Sequence, residues 1–159
     1  TTFCADLIAA AREAGWRPAG LLSRTVFSGS HPSTIEVENL AGGEVRPLAV
    51  YDPDQPTPGS RIWQFRGDAI AWGNQVLAAS IPCDFLVVDE LGPLEFERGG
   101  GWQAGLAALD SGQYAIAIAV VRPELLGEAL LRWSDANVIE IDTPEESAEK
   151  ARILANQLF

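Results

Sequence analysis

The sequence of 159 residues contains no methionine, one histidine, one lysine and two cysteines. Each scarcity closes a route. The single histidine, His31, sits in Gly29-Ser30-His31-Pro32-Ser33, which reads as a turn. A histidine metal centre or a Ser-His-Asp triad would rest on that one residue, and a solvated loop histidine is the plainer reading. Cys4 and Cys83 lie far apart in apolar settings with no Cys-x-x-Cys spacing. They read as reduced core residues of a cytoplasmic protein, not as a disulfide or zinc pair. No apolar run approaches the roughly 18 residues of a membrane span. No basic segment leads into an apolar one, so Thr1 does not open a signal peptide. Without methionine, the numbering is expected to start downstream of the initiator and of whatever followed it.

Positive charge is also scarce. Eleven Lys and Arg face 22 Asp and Glu, a formal net charge of -11. Such a surface repels phosphate backbones and anionic lipid, so neither nucleic acid nor a membrane is an expected partner. An anionic ligand would need a local device to overcome that field. With 47% hydrophobic and 21% charged residues, the composition is that of a folded protein, and the length fits one domain over residues 1–159.

Periodicity divides the chain into two styles. Thr2 to Ala14 carries Phe3, Leu7, Ile8 and Ala11 at helical spacing and stops at Gly15. Ala19 to Ser23 reads as a strand that extends through Val26-Phe27, followed by a turn over Ser28 to Ser33. Residues 34–51 read as a β-hairpin inserted on the main sheet, because Thr34 to Leu40 alternates and Gly42-Gly43 can turn the chain. Residues 52–66 read as a proline-rich loop. Gly67 to Ala79 is then helical, and Phe85 to Val88 is an uninterrupted apolar run, as in a strand buried on both faces of a parallel sheet. Trp102 to Leu109 and Pro123 to Leu131 read as helices, Tyr114 to Val121 as a second buried strand, and Val138 to Ile141 as a last short one. A closing helix starts at Thr143-Pro144-Glu145-Glu146, with the threonine at its N-cap. Alternating strands and helices predict an α/β fold with a doubly wound, mostly parallel sheet and helices on both faces.

The apolar run at residue 85 ends in Asp89-Glu90. Carboxylates at the carboxyl end of a buried parallel strand stand where open α/β sheets bind ligands. Neighbouring strand residues point in opposite directions, so the two acids take different tasks. One suits a hydrated Mg²⁺ and the other a water, a division appropriate to nucleotide hydrolysis. The bland reading is a strand that ends and turns toward Gly92-Pro93. At the start of the chain, Thr1-Thr2 opens an amphipathic helix, which by itself is only an N-cap. A helix so placed, ahead of a strand that ends in Asp-Glu, is also the arrangement that follows a phosphate-binding loop, whose last hydroxyl residue ligates Mg²⁺. Its backbone N–H groups supply the local positive field that an acidic protein needs.

These features together carry a family resemblance. Thr1-Thr2-Phe3, Ala19 to Ser23, Glu38 to Gly43 and above all Asp89-Glu90-Leu91-Gly92-Pro93-Leu94-Glu95 resemble the small P-loop nucleoside-triphosphatases, which include a thermophile enzyme and a human cancer-related relative. The resemblance spans essentially the whole chain. It implies a P-loop fold and Mg²⁺-dependent hydrolysis of nucleoside triphosphates, ATP and GTP with loose base preference, to diphosphate and phosphate. It further implies that Thr1 ligates Mg²⁺, that Thr2 offers its N–H and hydroxyl to the α-phosphate, and that Asp89 holds Mg²⁺ through water. Glu90 becomes the general base for the attacking water. Arg122, after the Tyr114 to Val121 strand, reaches the γ-phosphate in this reading; a surface arginine flanking a helix is the competing one. Glu95 matches the family's last carboxylate, although a solvated turn residue is the simpler expectation, and Arg24 is a weaker candidate than Arg122.

The family's glycines and lysine would precede Thr1 and are not in this sequence. Lys150 has no glycine-rich loop beside it and cannot replace them. The first strand, expected at the centre of the sheet, is missing with them, so a longer natural chain is expected, and one truly beginning at Thr1 would fold poorly and hydrolyse nothing. Two other functions compete. A small-molecule kinase would cap its site with the 51–66 stretch, using Arg61 and Arg66. A nucleotide-binding adaptor, similar to the P-loop adaptor of molybdopterin-guanine cofactor assembly, would bind without turnover. Of the five tryptophans, most are expected in the core, and only Trp63 and Trp72 lie near the proposed cap. Oligomeric state is not written in these patterns.

Overall fold

The computed structural model describes residues 1–54 and 62–159. Helix α1 (Thr2–Glu13) buries Phe3, Cys4, Leu7, Ile8 and Ala11, the stripe set by its sequence. Four strands follow: β1 (Pro18–Ser28), β2 (His31–Asn39), β3 (Val45–Tyr51) and β4 (Trp63–Phe65). Then come α2 (Gly67–Ala79), β5 (Cys83–Leu91), the single-turn α3 (Pro93–Phe96), α4 (Gln103–Ser111) and β6 (Tyr114–Val121). A 3₁₀ turn at Pro123–Leu125 leads into α5 (Leu126–Arg132), and α6 (Pro144–Leu158) closes the chain. Thr143 caps α6 as its sequence demands, its hydroxyl accepting from the Glu146 N–H at 3.2 Å.

The six strands form one sheet in the order β4-β3-β2-β1-β5-β6. β1 is its joint. Residues 18–21 pair in parallel with 85–88 of β5, whereas the strand beyond pairs antiparallel with β2. β2–β3 and β3–β4 are also antiparallel, and only β5–β6 adds a second parallel pairing. The sheet is therefore mixed, not mostly parallel as expected. The physical reason is local: short turns join β1, β2 and β3, and a short turn can only return a strand antiparallel to its neighbour. The 34–51 hairpin forms as β2 and β3 and extends the central sheet itself. His31 belongs to β2, so the turn before it is tighter than the expected Ser28 to Ser33.

Three further expectations change. Within the 52–66 loop, Trp63–Phe65 form the edge strand β4, pairing with Ala49, Val50 and Tyr51; residues 55–61, including Arg61, lie outside the described residues. β6 is half-buried rather than enclosed, because it forms the other edge of the sheet. Val138 to Ile141 makes no strand, and Val138, Ile139 and Ile141 are exposed. β-propensity without a neighbouring edge yields no ladder.

Helices cover both faces of the sheet. Phe85 and Val87 of β5 pack with Leu22 against α1 and Ala151 of α6. Leu86 and Val88 pack with Leu21 against α2 and α4, including Trp72, Leu77 and Trp102. This period-two division explains the continuous apolar run, since each side chain has a helix layer to enter. All four of these β5 side chains are fully buried, each worth roughly 1.5–3 kcal/mol. The close β1–β5 approach depends on Gly20, at φ +101°, where an added Cβ would lie 2.0 Å from the Val87 carbonyl oxygen.

Candidate active site

The carboxyl ends of β5 and β6 gather most of the residues singled out by sequence. Asp89 is 1% exposed, the most deeply buried carboxylate among the described residues. Three contacts hold it. Thr1 Oγ1 donates to Asp89 Oδ2 at 3.3 Å, and the Ser23 N–H donates to the same oxygen at 3.1 Å. The Ser23 hydroxyl donates to the Asp89 carbonyl at 2.8 Å. Thr1 stands at the N-cap of α1, yet its hydroxyl makes no capping bond and turns to the carboxylate instead. Burial pushes the Asp89 carboxyl up from its ordinary range, while the hydrogen bonds from the Ser23 N–H and the Thr1 hydroxyl oppose that shift.

Glu90 points elsewhere. It is exposed, and Arg122 Nε donates to its Oε1 at 2.7 Å. Arg122 follows β6 directly, and its backbone N–H donates to the Leu91 carbonyl at 3.2 Å. Its side chain lies across Gly92, where a Cβ would stand 3.4 Å from Arg122 Nε. The Glu90 hydrogen bond and charge raise the arginine's already high pKa further. A carboxylate and a guanidinium thus pair at the ends of β5 and β6, next in sequence to Asp89.

Glu95 corrects the expectation of a solvated turn residue: it is 7% exposed. Its Oε2 accepts from the Gly92 N–H and its Oε1 from the Trp102 N–H, each at 2.8 Å. It therefore ties the end of β5 to the start of α4. Gly101, at φ +60°, completes the clamp, because a Cβ there would fall 1.7 Å from Glu95 Oε1. Burial pushes this carboxyl up as well, against the two backbone donors that favour its charged form.

Other candidates disperse. Thr2 is the first residue of α1 and is exposed. Arg24 pairs with Glu38 at 3.0 Å, across the β1–β2 ribbon. Arg66 pairs with Asp68 at 3.1 Å on the surface. Lys150 bonds Glu146 and the Glu140 carbonyl beside α6. His31 is exposed and touches the Ser30 hydroxyl. Trp72 is a core residue with the Arg46 guanidinium 4.5 Å above its ring, whereas Trp63 is half-buried against Tyr51. Sequence reasoning missed Ser23, which carries no motif of its own. It also underrated Glu95, whose three-residue offset from Gly92 was the available signal.

The described residues hold no group of three or more His, Cys, Asp or Glu suited to a metal ion. Thr1 Oγ1 and Asp89 Oδ2 are nevertheless a converging pair of hard oxygen donors. That set fits Mg²⁺, which takes one or two protein oxygens and completes its shell with water and substrate phosphate. No helix among the described residues is long and apolar enough to cross a membrane.

Comparison with known proteins gives two matches. A family model described as NTPase matches residues 1–154. The solution structure of a human cancer-related nucleoside triphosphatase superposes with a TM-score of 0.70 at 19% identity, covering 98% of this chain and 89% of that one. At that identity the likeness speaks for the fold. No curated protein sequence matches.

Proposed function

The chain belongs to the NTPase family, and on that premise we propose that it hydrolyses ATP and GTP, with loose base preference, to diphosphate and phosphate. The reaction proposed is Mg²⁺-dependent and cytoplasmic, on a fold of the P-loop type. The observation that carries the reading is the 3.3 Å contact between Thr1 and Asp89, 88 residues apart, at the start of α1 and beside Glu90.

In this reading Thr1 and Asp89 are the residues that would hold Mg²⁺. The ion, when bound, neutralises charge on the β- and γ-phosphates. The first N–H groups of α1 face the phosphates, with Thr2 offering its N–H and hydroxyl to the α-phosphate, which gives a net-acidic protein its local anion site. Ser23 keeps Asp89 oriented. Glu90, exposed at the strand end, orients a water and takes its proton as the oxygen attacks phosphorus. Arg122, hydrogen-bonded to Glu90, balances charge that builds on the phosphoryl oxygens.

Phosphate release from ATP, with and without Mg²⁺, tests the proposal in the full-length natural protein and its Glu90→Gln variant. The expected result is Mg²⁺-dependent release that falls at least about a hundredfold in the variant, with ATP affinity kept. A protein that binds ATP with Mg²⁺ and releases no phosphate before or after the change is an adaptor, and the hydrolase reading fails.

A further inference from the structure

A hydrolase needs only water beside its base, yet Glu90 opens onto a built cavity of about 240 Å³. Its walls come from both halves of the sheet. Ile35 of β2, Leu48 of β3 and Trp63 and Phe65 of β4 line one side, and Ile70 of α2 and Trp102 line another. Glu90, Arg122, Ser23 and Thr25 form the polar edge. Apart from Leu48 and Trp102, these apolar side chains are only half-buried, so they present apolar surface to the cavity. The loop that closes it, from Gly92 to Trp102, is held in place by the Glu95 clamp.

We propose that this cavity binds a second substrate, a small ring-bearing alcohol, and presents its hydroxyl to Glu90 as a phosphoryl acceptor in place of water. The inference rests on the triphosphatase reading for its donor. Three features select the ligand. Pockets for drug-sized molecules run to roughly 300–1,000 Å³, so a volume of about 240 Å³ suits a ligand of one or two rings. Indole and phenyl walls favour a planar ring through dispersion and desolvation. A carboxylate paired with a guanidinium at the mouth accepts a hydroxyl proton and attracts phosphoryl oxygens. In the reaction the acceptor oxygen forms a bond to the γ-phosphorus as the bond to the β,γ-bridging oxygen breaks. The hydroxyl proton passes to the Glu90 carboxylate and then to water. The products are a nucleoside diphosphate and a phosphate monoester.

The test titrates a panel of one- and two-ring alcohols, including thymidine, uridine and 2-phenylethanol, into the full chain without nucleotide, read by calorimetry. Phosphorus NMR then follows each binder in the presence of ATP and Mg²⁺. The expected outcome is saturable binding of at least one probe with Kd near or below about 1 mM. Trp63→Ala, and Thr25→Phe at an exposed position that fills the cavity, should each weaken it about tenfold. A new phosphomonoester signal should grow at the expense of inorganic phosphate. A protein that hydrolyses ATP but binds no probe overturns the pocket and leaves the triphosphatase reading standing. Binding with release of inorganic phosphate alone overturns the acceptor role. A protein that binds a probe yet neither hydrolyses ATP nor transfers from it overturns the triphosphatase reading, and the acceptor role with it.

Discussion

Arg122 Nε donates a 2.7 Å hydrogen bond to Glu90 Oε1, joining the ends of two neighbouring parallel strands. The proposed base is thus engaged by the cation proposed to meet the phosphate. In the proposed reaction a triphosphate would compete for that guanidinium and free carboxylate lone pairs for the nucleophile. Arg122→Ala is expected to lower kcat for phosphate release by about a hundredfold or more, because an arginine in this role supplies roughly 10³–10⁵ in rate. Arg122→Lys keeps the charge and loses the planar fork, so it should recover only part of the loss. Steady-state phosphate release on both variants checks this, and an unchanged kcat would return Arg122 to the surface-arginine reading.

Glu95 should be a stability residue before anything else. Glu95→Ala leaves the Gly92 and Trp102 N–H groups without their acceptors in a buried setting. At about 1–3 kcal/mol for each orphaned donor, the expected loss is on the order of 2–5 kcal/mol in urea denaturation. Because both donors feed the loop beside Glu90, the surviving folded protein should also turn over more slowly.

Gly20→Ala is expected to be more severe. Its Cβ would sit 2.0 Å from the Val87 carbonyl oxygen, and φ +101° is hostile to any L side chain. The parallel β1–β5 pairing must open to accept it. Circular dichroism and soluble yield should report a protein destabilised by more than about 3 kcal/mol, beyond the usual range for a single substitution.

The two cysteines should differ in alkylation. The Cys4 thiol is 1% exposed and pushed up to about 12, chiefly by burial and then by the Asp89 charge, so little thiolate forms near pH 8. Cys83 is half-buried and raised mainly by burial. Mass spectrometry after iodoacetamide treatment of the folded protein is expected to find Cys83 modified and Cys4 untouched. Equal labelling would mean that α1 opens on the timescale of the reaction.

Two carboxyl groups predict opposite responses to acid. Asp110 is lowered from 3.8, first by the hydrogen bond from Arg132, which leaves Trp133 Nε1 to donate at 3.0 Å as well. Its contribution is present above pH 3.8 and is lost as pH falls through the lowered value. Glu95 is raised from 4.5 by burial, so the cost of its charge appears as pH rises through the raised value and is relieved on acidification. Asp110→Asn should therefore flatten the acid limb of the stability curve, by at most about 1 kcal/mol for so exposed a pair. Denaturation midpoints between pH 3 and 7 measure it.

Much of the scaffold was legible from pattern alone. The helix over 67–79 was bounded correctly because its apolar and alanine positions recur at helical spacing, and the buried run at 85–88 could only be an interior strand. The mixed character of the sheet was not legible in the same way. Alternation in residues 34–50 shows a half-solvated strand pair, but not whether that pair stands apart or joins the main sheet. The last segment, Val138 to Ile141, shows the limit of propensity: its β-branched residues stay exposed and form no strand.

Sequence by itself determined that this chain is an acidic α/β domain with an Asp-Glu pair at the end of an interior strand, and a hydroxyl pair opening its first helix. Local spacing is enough for that, since hydrophobic period and cap residues act over a few positions. Tertiary structure alone decided what those groups meet. It set Thr1 and Ser23 on Asp89, Arg122 on Glu90 and Glu95 inside a clamp. It also shaped an open-mouthed cavity between the β2–β4 strands and the start of α4. Apart from the Glu95 clamp, these contacts join residues dozens of positions apart, and only the packing of two helical layers on a sheet fixes such distances.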